Sequence, residues 1–138
     1  MSGQSESIKY GVGVWLFNPL GQVLMGQRLS KHGAGTWAPP GGKPEQNEVL
    51  IETAIRETLE ETGIALSPRM LQYLCKTDDV FPDSHYLTTH YRVDGITAIP
   101  SVLEHGKCKE WRWFDLNNLP DNLFLSAQNL LKQKVFGV

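Results

Sequence analysis

Short apolar blocks recur along the chain and change period as they go, from near-continuous or alternating runs to a three-and-four spacing and back. Residues 10–17, YGVGVWLF, read as a strand, Asn18-Pro19-Leu20-Gly21 as a turn, and residues 23–27 as a second strand. Residues 28–42 carry Gly33, Gly35, Pro39, Pro40, Gly41 and Gly42 and read as a loop. Over residues 48–62 the spacing becomes helical, with Ile51, Ala54, Ile55, Thr58 and Leu59 sharing one sector for the core. Asn47 fits the N-cap, and Gly63 followed by Ile64 fits a left-handed C-cap with its apolar contact. Residues 70–76, 85–93 and 110–114 read as strands, while residues 93–110 stay ambiguous. A second amphipathic helix is predicted over residues 123–136, with Leu123, Leu130, Leu131 and Val135 facing the core. Strands before, between and after two helices predict an α/β sandwich with a mixed sheet.

Composition narrows this picture. At 138 residues, 41% hydrophobic and 20% charged, the chain suits one globular domain over residues 1–138, with residues 1–7 a flexible tail. The apolar runs are too short and too often broken to span a bilayer, so no membrane association is expected. The first residues, MSGQSESIKY, lack a basic and apolar leader, and a cytoplasmic location is the expectation. Cys75 and Cys108 form no CxxC and read as reduced, packed thiols, with a disulfide between them left open. His32, His85, His90 and His105 show no ligand spacing, and none is read as a metal ligand. A net charge of -2 without a polybasic run argues against binding a nucleic-acid polymer. It does not argue against a small phosphate ligand, because a bound divalent cation reverses the local sign of an acidic site.

The acids of the first helix carry the candidate chemistry. Glu57, Glu60 and Glu61 stand at i, i+3 and i+4, within about 100° of one another on the helix surface. Like charges so placed repel, and hard divalent cations prefer carboxylate oxygens. Taken alone, the cluster also reads as an ordinary solvated face, with Arg56 pairing Glu52 and Glu60. The Pro40-Gly41-Gly42 bend just upstream shifts the balance, since it brings main-chain oxygens toward the acidic face.

Gly42-Lys-Pro-Glu-Gln-Asn-Glu48 followed by Arg56-Glu57-Thr-Leu-Glu60-Glu61-Thr-Gly63-Ile64 resembles the Nudix box, with every fixed-identity position in place. Thr58 stands where the family usually has an aliphatic residue, and Pro44 and Asn47 are unusual among the variable positions. The flanks are similar too: GVGVWLF to the family's first core strand, and Glu110-Trp-Arg-Trp-Phe114 with Leu119-Pro120 to the strand and turn before its last helix. Within the superfamily, Leu24–Arg28, Gly33–Trp37, His85–Thr88 and Asn122–Leu125 look like the MutT-like nucleoside triphosphate diphosphatases.

The resemblance implies a Nudix-type α/β/α sandwich and an Mg2+- or Mn2+-dependent hydrolase that cleaves (d)NTPs or modified nucleotides to NMP and pyrophosphate. It implies that Glu57, Glu60 and Glu61 hold the metal with the main-chain carbonyl of Gly41, while Arg56 and Glu48 orient them. Glu57 is the first choice for general base, with Glu57, Glu60 and Arg56 as the catalytic set. Glu104 sits where some relatives supply an extra acid, and it reads equally as a solvated loop residue. Arg28, Trp37, Tyr86, Thr88 and Phe124 are candidate substrate contacts, Arg28 for phosphate and the aromatics for a base. A homodimer is the assembly that relatives suggest. Two other readings stay open: hydrolysis of nucleotide sugars or other nucleoside diphosphate derivatives such as ADP-ribose, and a nucleotide-binding module without chemistry.

Overall fold

A computed structural model describes residues 7–137; the tail expected over residues 1–7 therefore lies outside the described residues except for the exposed Ser7. The chain runs β1 (Ile8–Leu16), β2 (Val23–Arg28), β3 (Trp37–Ala38), β4 (Gly41–Gly42), α1 (Leu50–Thr62), β5 (Gln72–Phe81), β6 (Ser84–Val93), β7 (Cys108–Phe114) and α2 (Leu125–Lys132). A four-stranded sheet has the order β4-β1-β6-β5, with β1 parallel to β6 and antiparallel to β4, so it is mixed as predicted. A three-stranded antiparallel sheet has the order β3-β2-β7.

The apolar run of β1 reflects burial on both faces. Val12, Val14 and Leu16 join Tyr91, Val93, Ala54 and Ile64 in one core beneath α1, whereas Trp15 and Phe17 join Val23, Met25 and Leu130 in a second core beneath α2. The sheets thus lie between the two helices. The outer edge of β5 is covered by α2, where Gln133 Nε2 donates to the Lys76 carbonyl at 2.8 Å and Asn129 Nδ2 to the Asp78 carbonyl at 3.4 Å. Such cover removes an edge that would otherwise template pairing with another chain. Among the described residues no helix is long and apolar enough to cross a membrane. Both cysteines are free.

Several expectations need correction. Asn47 is not the N-cap of α1; it takes a left-handed conformation, φ 65°, two residues before Val49 fills that position. Glu48 is thereby left in the turn rather than on the helix. The C-cap stands as expected, with Gly63 at φ 80° donating to the Leu59 carbonyl at 2.9 Å and Ile64 buried behind it. The buried stripe of α1 is Thr53, Ala54, Thr58 and Thr62, while Ile51 and Leu59 are 36% and 47% exposed. Small side chains on that stripe let the helix lie close to the glycine strand β4. The loop expected over residues 28–42 contains the two-residue strands β3 and β4, β5 runs five residues further than expected, and α2 stops at Lys132, beyond which residues 133–136 form turns.

Candidate active site

A cavity of about 500 Å³ is lined from both sheets and from α1. Gly41 and Gly42 form its wall on the α1 side, and at both positions a side chain would have to displace a neighbour. A Cβ on Gly42 would lie 2.3 Å from the Glu57 carboxylate, and one on Gly41 would lie 2.0 Å from the Val12 carbonyl. The short pairing of β4 with β1, Val12 to Gly42 and Gly13 to Gly41, sets these distances.

Glu57 and Glu61, one helical turn apart, bring their carboxyl groups into hydrogen-bonding contact within this cavity. Burial pushes both above the ordinary carboxylate range; for Glu61 the rise is large, and the neighbouring charge of Glu57 adds to it. Gly41 also meets Glu61, its amide donating to Oε1 at 3.2 Å. Trp111 Nε1 donates to the Glu61 carbonyl at 3.3 Å and ties β7 to the end of α1. Glu104 lines the same cavity and its charge bears on both Glu57 and Glu61.

Arg56 organises the remaining acids. Its Nε donates to Glu48 Oε2 at 2.7 Å and Nη2 to Glu48 Oε1 at 2.9 Å, a two-point grip, while Nη2 also reaches the Lys43 carbonyl at 3.1 Å. Nη1 meets Glu60 at 3.1 Å and Glu57 at 3.3 Å. Glu48 further accepts from Thr53 Oγ1 at 2.7 Å and the Glu45 amide at 3.0 Å. The Arg56 hydrogen bonds, first among these contacts, hold the Glu48 carboxyl down at about 2. Glu60 turns to Arg56 and away from the cavity, with its side chain 48% exposed. Among the described residues no three His, Cys, Asp or Glu groups converge as a ready-made metal cage. The donor chemistry nevertheless fits a hard cation: two half-buried carboxyls meet in the cavity, and carboxylate oxygens are the ligands Mg2+ prefers.

The opposite wall is aromatic. His32 packs at 4.2 Å from the Phe81 ring, 5.5 Å from Phe124 and 5.6 Å from Tyr86, measured between centroids. Arg28 lays its guanidinium 4.3 Å above the Phe124 ring and donates from Nε to the His32 carbonyl at 2.9 Å. Arg28, Tyr86, Thr88 and Phe124 all line the cavity. Trp37 does not. It is 7% exposed in the second core, edge-on to Phe114 and with the Arg112 guanidinium 5.2 Å over its ring.

His32, Asp79 and Phe81 also line the cavity, and the sequence alone does not single them out as site residues. Cys75, Thr77, Asp79 and Phe81 alternate toward the inner face of β5. Extending the predicted strand past Lys76 with the same period would have found the last two.

The NUDIX domain family profile matches residues 8–133 of the chain. The crystal structure of a MutT NUDIX hydrolase from Burkholderia pseudomallei superposes with a TM-score of 0.85 at 29% identity, over 93% of this chain and 98% of that one. An RNA pyrophosphohydrolase of Roseobacter denitrificans is 28% identical over 132 residues, covering 81% of this chain and 79% of its own length. An ADP-ribose pyrophosphatase of Methanocaldococcus jannaschii is 33% identical over 104 residues, 75% of this chain and 60% of its own.

Proposed function

The chain belongs to the NUDIX family of hydrolases, and on that premise we propose that it is an Mg2+- or Mn2+-dependent pyrophosphohydrolase that converts (d)NTPs or modified nucleotides to NMP and pyrophosphate. The observation that carries this reading is the pairing of Glu57 with Glu61 in one cavity with an aromatic wall of Tyr86, Phe81 and Phe124. An acidic end suits a cation-bridged polyphosphate, and an aromatic end suits a base.

In the proposed reaction a water oxygen bonds to phosphorus as the phosphoric anhydride bond breaks and pyrophosphate leaves. The water's proton passes to a cavity carboxylate, for which Glu57 is the assignment. A divalent cation held by Glu57 and Glu61, with Glu60, the Gly41 carbonyl and Glu104 as further donors, would neutralise the phosphate charge and lower the pKa of the attacking water. Arg56 and Glu48 keep the α1 acids in place. Arg28 lines the cavity beside the aromatic wall, its guanidinium over Phe124, and is assigned to substrate phosphate. A cytoplasmic location and a homodimer complete the proposal.

A screen of (d)NTPs, oxidised nucleotides, sugar nucleotides and ADP-ribose with Mg2+, following pyrophosphate and monophosphate release, tests it. Predominant turnover of sugar nucleotides or ADP-ribose would replace the substrate assignment. No turnover of any of them would favour a binding module without chemistry.

A further inference from the structure

We propose that Thr88 is a specificity-determining residue that offers the substrate base a hydrogen-bond acceptor and no donor, so that the cavity selects a base carrying an exocyclic amino group. The inference rests on the nucleotide reading above and names which bases that site prefers.

The argument begins in the core, at Trp15. An indole N–H only donates, and Trp15 Nε1 meets His90 Nδ1 at 3.0 Å, so Nδ1 is the bare acceptor of a neutral ring. The ring proton then sits on Nε2, which lies 2.9 Å from Thr77 Oγ1. Thr77 accepts there and gives its own proton to Asp79 Oδ2 at 3.2 Å. Asp79 is fully buried and also takes Asn129 Nδ2 on Oδ1 at 2.8 Å and Thr88 Oγ1 on Oδ2 at 2.6 Å. A carboxylate can only accept, so the donors converge on Asp79, those from Trp15 through Thr77 on one side and Thr88 on the other. The single hydroxyl proton of Thr88 is committed to the shortest bond that Asp79 receives. Its lone pairs are what remain for a ligand.

Space for that ligand lies next to the hydroxyl. Gly11 is paired with Thr88 across β1 and β6, and both line the cavity. A Cβ on Gly11 would lie 3.5 Å from the Gly42 carbonyl, 3.8 Å from Thr88 Oγ1 and 3.9 Å from Tyr86 Cδ1, so the missing side chain leaves an atom-sized gap between hydroxyl and ring. A glycine inside a strand often marks a close ligand approach. A base lying on Tyr86 over Gly11 presents its edge to Thr88. An exocyclic amino group projects from the ring and only donates, because its lone pair is delocalised into the ring. An imide N–H is recessed beside carbonyl oxygens, whose lone pairs would face the acceptors of Thr88 and Asp79.

Calorimetric binding of nucleoside monophosphates to the full chain tests this in two matched pairs, AMP against purine riboside monophosphate and GMP against IMP. In at least one pair the amino-bearing member should bind about tenfold tighter, the value of one such contact. Thr88→Val should close that gap by weakening the amino-bearing member, and Thr88→Ser, which keeps the hydroxyl, should retain it. Gly11→Ala, which meets only ordinary contact distances, should fold and weaken all four ligands about tenfold. Binding without a gap in either pair overturns the inference and leaves the nucleotide reading standing. So does a Thr88→Val variant that weakens both members alike, or a Gly11→Ala variant that binds as the parent does. No binding of any of the four overturns both.

Discussion

Gly42 stands so close to Glu57 that a methyl group on its α-carbon would come within 2.3 Å of the carboxylate and 2.8 Å of Cγ. The obstacle is the end of a flexible side chain, which can swing aside. At Gly41 the obstacle is the Val12 carbonyl at 2.0 Å, which is held in the β1–β4 pairing. The two substitutions should therefore separate. Gly42→Ala should fold with a loss of about 1 kcal/mol or less while turnover falls on the order of a hundredfold through a displaced Glu57. Gly41→Ala should destabilise the chain by about 1–3 kcal/mol through overpacking of backbone. Denaturant melts and steady-state kinetics on both variants decide; equal effects on stability would remove the distinction.

Arg56 grips Glu48 with two hydrogen bonds and touches Glu57 and Glu60 with a third nitrogen. Lysine keeps the charge but cannot reproduce that fork. Arg56→Lys and Glu48→Gln should each lower turnover by about 10–100-fold, the usual cost of losing a partner that orients site acids. Michaelis constants should move much less. A rise in the Michaelis constant at constant turnover would instead mean that Arg56 binds substrate directly.

The parts of the fold that could be read from the chain are those where one force acts alone. β1, β2 and β6 begin and end within two residues of their expected limits because each follows an apolar run bounded by turn residues. The end of α1 was legible because Gly63 is needed in a left-handed conformation there. Elsewhere a second requirement overrides the local preference. Thr77, Asp78 and Asp79 look like a turn, yet they continue β5, because Thr77 and Asp79 turn inward to a buried hydrogen-bond network and Asp78 faces solvent. Asn47 has the composition of an N-cap but bends the chain so that Glu48 meets Arg56. Trp37 sits in a stretch rich in glycine and proline, and nothing local reveals that its neighbour in space is Phe114. The acids of α1 were legible as a set from their spacing, whereas the outward turn of Glu60 toward Arg56 depends on a side-chain choice that spacing does not encode.

Removal of the cation should show itself in stability as well as in rate. Two half-buried carboxyls in contact are a cost to the folded chain that a bound cation offsets. Chelator should abolish turnover. Adding Mg2+ to about a hundred times its dissociation constant should stabilise the fold by about 2.7 kcal/mol, a rise of several degrees in melting temperature. Glu61→Gln should lose that rise. If the variant and the parent are stabilised equally by Mg2+, the cation binds somewhere other than beside Glu61.

His90 supplies a pH dependence that does not pass through the acids of α1. Its ring is fully buried, and burial holds it at about 4, below its ordinary value of 6.5. Trp15 points a donor at Nδ1, so there is no acceptor for a second ring proton. Asp79, the nearest acid, reaches the ring only through Thr77, whose proton it already receives. Between these two values the unfolded chain binds a proton that the folded chain refuses. The stability that His90 contributes is therefore complete above about pH 6.5, declines as the pH falls, and is gone at about pH 4. Its ceiling is about 3 kcal/mol, because each tenfold difference in proton affinity between the folded and unfolded chain is worth about 1.4 kcal/mol. His90→Gln should be less stable at neutral pH, where it loses part of the contact with Trp15 and Thr77. Its stability should then fall less steeply than the parent's between pH 6.5 and 4, since only the shared carboxylates still titrate there. Urea unfolding of both proteins at half-unit pH steps reads the difference, and parallel curves would show that His90 is not the residue responsible.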